Sequence, residues 1–160
     1  MSINSSTRPT PAARTVTFSI SRTAYRWPKR RAPAAAAKVS VEGAAALVRI
    51  NLDTVLAIQD VEASVHPAVS AIVIPKVESA AQVRIIAEVI DRCEAERGML
   101  KGHTRLIAMI ESVEALPKLD EIATASERLV AMTLGSAGFS ASAGKAPLPQ
   151  TLLLPNQMLA

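Results

Sequence analysis

Residues with chemical potential follow each of four apolar segments of the sequence, at the points where strands would end. They are Arg49 and Asn51, Lys76 and Glu78, Glu111 and Ser112, and the glycine-containing stretch 135–138. An arginine holds a carboxylate through two parallel hydrogen bonds, and a glutamate holds Mg²⁺, which usually takes one or two protein carboxylates. Together the metal ion and the arginine would stabilise the enolate formed when a carbon–carbon bond beside a carbonyl breaks. Strand ends are often polar, but this combination predicts a site for an anionic, metal-chelated substrate.

The four apolar segments predict strands of one parallel sheet in an α/β fold. They span residues 45–50, 71–74, 106–110 and 129–134. Helical patterns separate them, and the clearest covers residues 78–97, where Val83, Ile86, Ile90 and Cys93 share one face. Successive strand centres are about 24 to 35 residues apart, which is the length of one β–α unit. Ligands of such sheets bind beyond the carboxyl ends of the strands, where the polar residues fall.

Other residues are weaker candidates for chemistry. The single cysteine, Cys93, lies in a helical pattern and is predicted to be a packed side chain rather than a catalytic thiol. His66 and His103 do not have metal-ligand spacing, and we predict them to be surface residues. No apolar run approaches the roughly 20 residues that cross a bilayer. The sequence therefore predicts no membrane segment.

The basic character of the chain belongs to its first 40 residues. Residues 1–40 hold eight of the eighteen Lys and Arg residues and none of the fourteen Asp and Glu residues. They show no sustained hydrophobic period, so we predict a disordered basic extension over 1–40 and a domain over 41–160. A transit peptide and a nucleic-acid contact are alternatives for this extension, and nucleic acid is the less favoured. The expected compartment is the cytoplasm, or the mitochondrial matrix if the extension is a transit peptide.

The strand-end segments resemble successive motifs of the citrate lyase β-subunit family, also called HpcH/HpaI aldolases. The matching segments are Val48–Asn51, Ile72–Ser79, Leu106–Ser112 and Leu129–Gly135, in the family's order and spacing. The resemblance covers about residues 40–160. It implies a partial (β/α)₈ TIM barrel. It also implies magnesium-dependent cleavage or formation of carbon–carbon bonds in acids such as citrate and malate, often as coenzyme A thioesters.

Position by position, the resemblance implies roles for individual residues, although none is assigned as catalytic. Arg49 resembles the arginine that binds the substrate's carboxylate, and Glu111 resembles one of the metal-binding carboxylates. Lys76 is a weaker candidate for contact with a substrate phosphate or carboxylate. Gly138 occupies the place of the aspartate that completes the family's metal site. We therefore expect weaker Mg²⁺ binding in this chain.

The length predicts an incomplete barrel. A (β/α)₈ barrel needs about 200 residues or more, whereas this chain has 160 residues and supplies about four β–α units. Half a barrel has two open edges and an exposed apolar inner face, which favours association. Two functions stay open on these grounds. One is a lyase that acts on an organic acid or acyl-CoA, and the other is a non-catalytic partner that associates with itself or with a full-length homologue.

Overall fold

The computed structural model describes residues 15–19 and 45–159. Its strands are β1 (Thr15–Ser19), β2 (Ala45–Arg49), β3 (Val69–Ile74), β4 (Arg105–Ile110) and β5 (Leu129–Leu134). The helices after β2 and β3 are α1 (Thr54–Ser64) and α2 (Ala80–Glu96). A 3₁₀ helix (Val113–Lys118) and α3 (Leu119–Ala123) follow β4, and α4 (Ser136–Ser142) and α5 (Pro149–Met158) follow β5. Helical segments therefore follow each strand from β2 to β5, as the sequence predicts.

The strands form one parallel sheet in the order β1-β2-β3-β4-β5. Each strand pairs with the next one along the chain. Parallel neighbours need a crossover connection, and helices supply it between β2 and β3, between β3 and β4, and between β4 and β5. Sequential parallel order is the arrangement in the wall of a (β/α)₈ barrel. The predicted fold class, an α/β fold with part of a barrel, is confirmed.

Strand β1 was not predicted from the sequence. It lies inside the segment assigned to a basic extension, and it pairs with β2 so that Ser19 is opposite Arg49. The expectation of no regular structure is therefore wrong for Thr15–Ser19. The strand is short and lies among arginines and prolines, which hid its alternation of polar and apolar residues. The remainder of 1–44 lies outside the described residues, and a domain boundary near residue 40 stays a prediction.

Helix α2 packs as its periodicity predicts. It begins with a capping box between Ser79 and Gln82. Gln82 Oε1 accepts hydrogen bonds from the backbone N–H groups of Glu78 and Ser79, at 2.7 and 3.1 Å. The apolar stripe of the helix lies in the main core, and Cys93 on that stripe is buried. Its buried position confirms the predicted packed side chain, and burial raises the pKa of the Cys93 thiol.

The two faces of the sheet have different surroundings. Ile72 and Leu106 lie in the main core together with residues of α1, α2 and α3. Side chains alternate along a strand, so Arg49 and Glu111 belong to the opposite face. Thr133, on this second face of β5, is exposed. The second face corresponds to the inner wall of a barrel, and it carries the candidate site at its carboxyl edge.

Candidate functional site at the carboxyl edge of the sheet

Arg49 and Glu111 meet at the carboxyl edge of the sheet. Arg49 is the last residue of β2 and Glu111 directly follows β4, so strand β3 lies between them. Nη2 of Arg49 is 3.6 Å from Oε1 of Glu111, a distance that suits an ion pair but is too long for a hydrogen bond. The Arg49 side chain is 39% exposed, whereas that of Glu111 is 9% exposed. The structure thus brings these two predicted site residues together, and their roles stay predictions.

Lys76 contacts the site through its backbone. Its N–H group donates to Oε2 of Glu111 at 3.1 Å. The residue has a φ of 47°, in the left-handed region that non-glycine residues rarely adopt. This conformation follows Pro75 at the end of β3 and turns the Lys76 N–H group towards the carboxylate. The Lys76 side chain is exposed, and the predicted contact of its amine with a substrate stays a prediction.

Two glycines after β5 pack closely against Glu111. A Cβ atom added at Gly135 would lie 2.4 Å from Cγ and 2.6 Å from Oε1 of Glu111. A Cβ atom added at Gly138 would lie 3.0 Å from Cβ and 3.2 Å from Cδ of Glu111. A real Cβ does not approach to 2.4 Å, so position 135 accepts only glycine while Glu111 keeps its place. The glycine stretch therefore fixes the position of the carboxylate.

The residues present do not make a complete magnesium site. Mg²⁺ demands octahedral oxygen ligation and is usually held by one or two protein carboxylates and several waters. Within residues 15–19 and 45–159, no group of three or more His, Cys, Asp or Glu side chains is placed to share a metal ion. Glu111 already faces Arg49 and accepts a hydrogen bond from Lys76. Gly138, which stands where the family's aspartate is expected, adds no oxygen from a side chain.

Among the other polar residues singled out in the sequence, Asn51 and His66 have hydrogen-bond partners within the described part of the protein, whereas the hydroxyl of Ser112 has none. Asn51 donates to Oδ2 of Asp60 on α1 from its backbone N–H and from Nδ2, at 2.9 and 2.6 Å. The hydroxyl of Ser112 is buried and has no hydrogen-bond partner in the described structure. His66 Nδ1 accepts from the backbone N–H of Ala68. These contacts bring neither Asn51 nor His66 to Glu111.

A second charged cluster lies at the opposite edge of the sheet. Arg128 directly precedes β5, and its side chain is 6% exposed. It donates to Oε1 and Oε2 of Glu94 on α2, at 3.1 and 2.6 Å, and to the backbone carbonyl of Thr104 at 2.9 Å. It also donates to Asp91. We call Arg128, Glu94, Asp91 and Thr104 the amino-edge network.

Glu94 is saturated with hydrogen bonds in this network. Its oxygens also accept from the backbone N–H groups of Thr104 and Gly102, at 2.7 and 2.9 Å. Burial alone would raise the pKa of the Glu94 carboxyl, but the hydrogen bonds from Arg128, Thr104 and Gly102 outweigh burial and lower that pKa. The carboxylate contacts in turn raise the pKa of Arg128. Both groups are therefore charged and paired at neutral pH.

The amino-edge network was not predicted from the sequence, although one feature could have indicated it. Glu94 follows Ile90 by four residues, so helical periodicity places it on the buried stripe of α2. Charged residues are almost never fully buried unless they are paired. A glutamate on an apolar stripe therefore requires a cation, but nothing in the sequence says that the cation is Arg128.

A cavity of about 530 Å³ lies beside the amino-edge network, away from Glu111. Its lining includes Lys101, Arg105 and Arg128 together with Asp91 and Glu127. The mixture of both charges gives no preference for one sign of ligand. The position also argues against a catalytic role, since barrel enzymes react at the carboxyl edge.

None of the helices in the described part of the chain combines the length and the apolar character needed to span a bilayer.

The fold and the site define a class of protein, a parallel β–α protein of the barrel type with polar residues gathered at the carboxyl edge. The sequence profile described as HpcH/HpaI aldolase/citrate lyase matches residues 25–151. Because this match covers well over half of the chain, the protein belongs to the HpcH/HpaI aldolase/citrate lyase family. The resemblance seen in the strand-end motifs is confirmed. The matched region also begins before residue 41 and so includes part of the basic segment.

Two related proteins show which activities accompany similar sequences. The citrate lyase subunit beta of Leuconostoc mesenteroides subsp. cremoris is 36% identical over 95 residues, or 59% of this chain and 32% of that protein. The L-malyl-CoA/β-methylmalyl-CoA lyase of Rhodobacter capsulatus is 41% identical over 103 residues, or 62% of this chain and 32% of that protein. The chain therefore spans about a third of the length of the curated relatives it matches.

Solved structures share the fold. RipC from Yersinia pestis matches with a TM-score of 0.62 and 26% identity, over 92% of this chain and 69% of that chain. The citrate synthase SbnG matches with a TM-score of 0.67 and 19% identity, over 91% and 62% of the two chains. A citrate lyase from Burkholderia xenovorans LB400 matches with a TM-score of 0.62 and 19% identity, over 81% and 42%. The last two likenesses concern the fold alone.

Proposed function

We propose that this chain binds the carboxylate of a small organic acid, free or as its coenzyme A thioester, and cleaves a carbon–carbon bond beside a carbonyl group. The observation that carries the proposal is the pair of Arg49 and Glu111 at the carboxyl edge of the sheet. Family membership supports the type of reaction. The relatives that act on citrate and on malyl-CoA support the class of substrate.

Arg49 is the residue that would bind the substrate. A guanidinium presents five N–H donors in a plane and matches a carboxylate with two parallel hydrogen bonds. The Arg49 side chain is partly exposed, so a ligand approaching from the open face of the sheet can reach it. Glu111 lies deeper and is held by the Lys76 N–H group and by the two glycines. We assign Glu111 the task of orienting the guanidinium towards the incoming acid.

A role for Mg²⁺ is suggested by the resemblance to the family, and not by a complete set of metal ligands among the described residues of this chain. When bound, such an ion would supply positive charge to the oxygen of the enolate. Glu111 would be its single described carboxylate ligand, so binding would be weak. Cleavage that rises with Mg²⁺ concentration would support this contribution of the ion.

The test is cleavage of L-malyl-CoA. The bond between the hydroxyl-bearing carbon and its methylene neighbour breaks, which yields glyoxylate and, after protonation of the enolate, acetyl-CoA. Glyoxylate is measured as its phenylhydrazone at increasing Mg²⁺. We expect turnover in the natural chain and its loss in Arg49→Ala and Glu111→Ala, with Arg92→Ala on the exposed face of α2 as the matched control.

If no glyoxylate forms at any Mg²⁺ concentration, and none forms in Gly138→Asp, the lyase proposal is wrong. The Gly138→Asp variant matters because it returns the second carboxylate that the family resemblance implies. Retained turnover in Arg49→Ala would show that the arginine does not bind the substrate.

A second candidate function, a non-catalytic partner of a homologous lyase, is favoured by strand β5. This strand has a neighbour on one side only in the described sheet, and Val130 on it is 56% exposed. An unpaired parallel edge can accept a strand of another chain. Co-purification with a full-length citrate lyase β-subunit, and its loss in Val130→Lys, would support this function. A monodisperse monomer that captures no homologue would contradict it.

A further inference from the structure

The charge on Glu111 is balanced within the protein. Its Oε1 faces the Arg49 guanidinium at 3.6 Å and its Oε2 accepts the Lys76 N–H group at 3.1 Å. Both oxygens of a nearly buried carboxylate therefore have a partner from the chain itself. An ionised group removed from water needs such compensation. A divalent cation can compensate the negative charge of the carboxylate, and so can a guanidinium held beside it.

The surroundings of Glu111 oppose a divalent cation. Mg²⁺ would sit about 2.1 Å from the ligating oxygen, and Arg49 is already 3.6 Å from that oxygen. Two cations so close together repel each other strongly where solvent is partly excluded. The backbone of Gly135 and Gly138 covers another side of the glutamate, with no room for a Cβ atom at Gly135 and only a tight fit for one at Gly138. Among the described residues, no group of three or more His, Cys, Asp or Glu side chains is placed to share a metal ion, and Gly138 adds no carboxylate beside Glu111.

We propose that Arg49 takes the place of a divalent cation as the counter-charge of Glu111, so that the site binds the carboxylate of a small organic acid without a metal ion. The inference rests on the proposed function, since it concerns how the same site takes its ligand. The pair is neutral as a whole, and the partly exposed guanidinium is its ligand-binding member. Glu111 is a positioning residue that also repels the incoming anion.

Neutralising Glu111 should change the affinity for a carboxylate in opposite directions in a metal-free site and in a site where a metal ion bridges Glu111 and the ligand. Glu111→Gln keeps an oxygen that accepts the Lys76 N–H group and removes the negative charge. Without a bridging ion, loss of that repulsion tightens binding of a carboxylate by roughly threefold to tenfold, which corresponds to a charge interaction of about 1 kcal/mol. With a bridging ion, the same substitution removes the protein's ligand to the ion and weakens binding.

The experiment is isothermal titration calorimetry of the full chain with pyruvate. Titrations are run in EDTA, and then in millimolar Mg²⁺ at matched ionic strength. We expect binding of pyruvate to the natural chain in EDTA, a change of less than about twofold with Mg²⁺, and tighter binding to Glu111→Gln. Circular dichroism melts of each variant test whether the fold is retained.

A designed pair of variants extends the same test. Gly138→Asp places a second carboxylate beside Glu111, and Gly138→Asn adds a side chain of similar size without charge. We expect Mg²⁺ to strengthen pyruvate binding in Gly138→Asp and to leave binding to Gly138→Asn unchanged. The contrast separates charge from the crowding that any side chain at position 138 causes against Glu111.

The possible failures differ from one another. Pyruvate binding to the natural chain that requires Mg²⁺, or weaker binding to Glu111→Gln, overturns the metal-free site and leaves the proposed function standing. Absence of pyruvate binding with and without Mg²⁺ overturns both. Equal binding to the natural chain and to Glu111→Gln shows that the glutamate does not sense the ligand, which also overturns the inference.

Discussion

The two edges of the sheet each pair an arginine with a glutamate, but they do so in different ways. At the amino edge, Arg128 and Glu94 are almost completely buried and share several hydrogen bonds. At the carboxyl edge, the closest approach between Arg49 and Glu111 is 3.6 Å, and the arginine is 39% exposed. The protein shields the Arg128–Glu94 pair from solvent, whereas Arg49 in the second pair is partly exposed to solvent.

The difference teaches how one fold divides stability and binding between its two ends. Removal of one partner from a buried ion pair leaves an uncompensated charge and strongly destabilises the fold. The amino-edge network therefore stabilises the packing of α2 against the start of β5. A partly exposed pair contributes little to stability because solvent screens it. The carboxyl edge can therefore hold an incompletely paired arginine at small cost to folding. In the proposed site, the carboxylate of a ligand would supply the missing hydrogen bonds.

The largest expected effect comes from breaking the amino-edge network. Arg128→Met removes the cation and leaves Glu94 and Asp91 without it. We expect the free energy of unfolding to fall by about 3–5 kcal/mol, as for other buried pairs that lose a partner. Urea unfolding followed by circular dichroism measures the change.

The control for this prediction is the same substitution at the other edge. Arg49→Met is expected to change the free energy of unfolding by less than about 1 kcal/mol. If Arg128→Met and Arg49→Met lowered the free energy of unfolding by the same amount, the proposed difference in stability contribution between the two edges would be wrong.

The next effect concerns the glycine that fixes Glu111. Gly135→Ala forces the Glu111 side chain to move, since the added Cβ would lie 2.4 Å from its Cγ. Overpacking of this kind costs about 1–3 kcal/mol, and displacement of the carboxylate also breaks its contacts with Lys76 and Arg49. Unfolding measurements report the loss of stability, and titration with pyruvate reports the displacement of the carboxylate. Gly138→Ala, with its longer 3.0 Å approach, is expected to have a smaller effect on both.

A third prediction concerns acid. The pKa of Glu94 is lowered in the folded state, so the folded protein holds this proton less tightly than the unfolded chain, where a glutamate has a pKa of about 4.3. The resulting stability is fully present above that pH and is lost as pH falls through the lower folded-state pKa. Comparing unfolding of the natural chain and Glu94→Gln across this range isolates the effect. A difference between them that does not shrink on acidification would contradict the assignment.

The smallest expected effect comes from Lys76. Its positive φ disfavours any residue with a Cβ atom, while its contact with Glu111 is made by the backbone. Lys76→Gly should therefore raise the free energy of unfolding by about 0.5–1 kcal/mol, and Lys76→Ala should leave it nearly unchanged. A loss of stability in Lys76→Gly would mean that the lysine side chain has a structural role.

Most of the fold could be predicted from the sequence, because buried strands and the stripe of α2 have strong periodicity. The four predicted strands and the burial of Cys93 follow from that pattern. Strand β1 could not be predicted, because five residues among arginines and prolines give too short a period. Its place in the sheet depends on pairing with β2, which is a long-range contact.

The candidate site could be predicted only in part. Arg49 and Glu111 were recognised because each stands at the end of a predicted strand, and the parallel order brings such ends together. The backbone contact of Lys76 could not be foreseen, since it depends on one left-handed residue. The partnership of Arg128 with Glu94 depends on how α2 lies against β5, which no local pattern encodes.

The most direct test of the account is the side-chain resonance of the arginines during titration with pyruvate. Nuclear magnetic resonance detects each arginine Nε–Hε group separately, and the Arg49→Lys and Arg128→Lys variants assign the two signals. We predict that the Arg49 signal moves in a saturable manner in EDTA while the Arg128 signal keeps its position. An unmoved Arg49 signal, or equal shifts of both signals, would contradict the claim that the carboxyl edge carries the binding site.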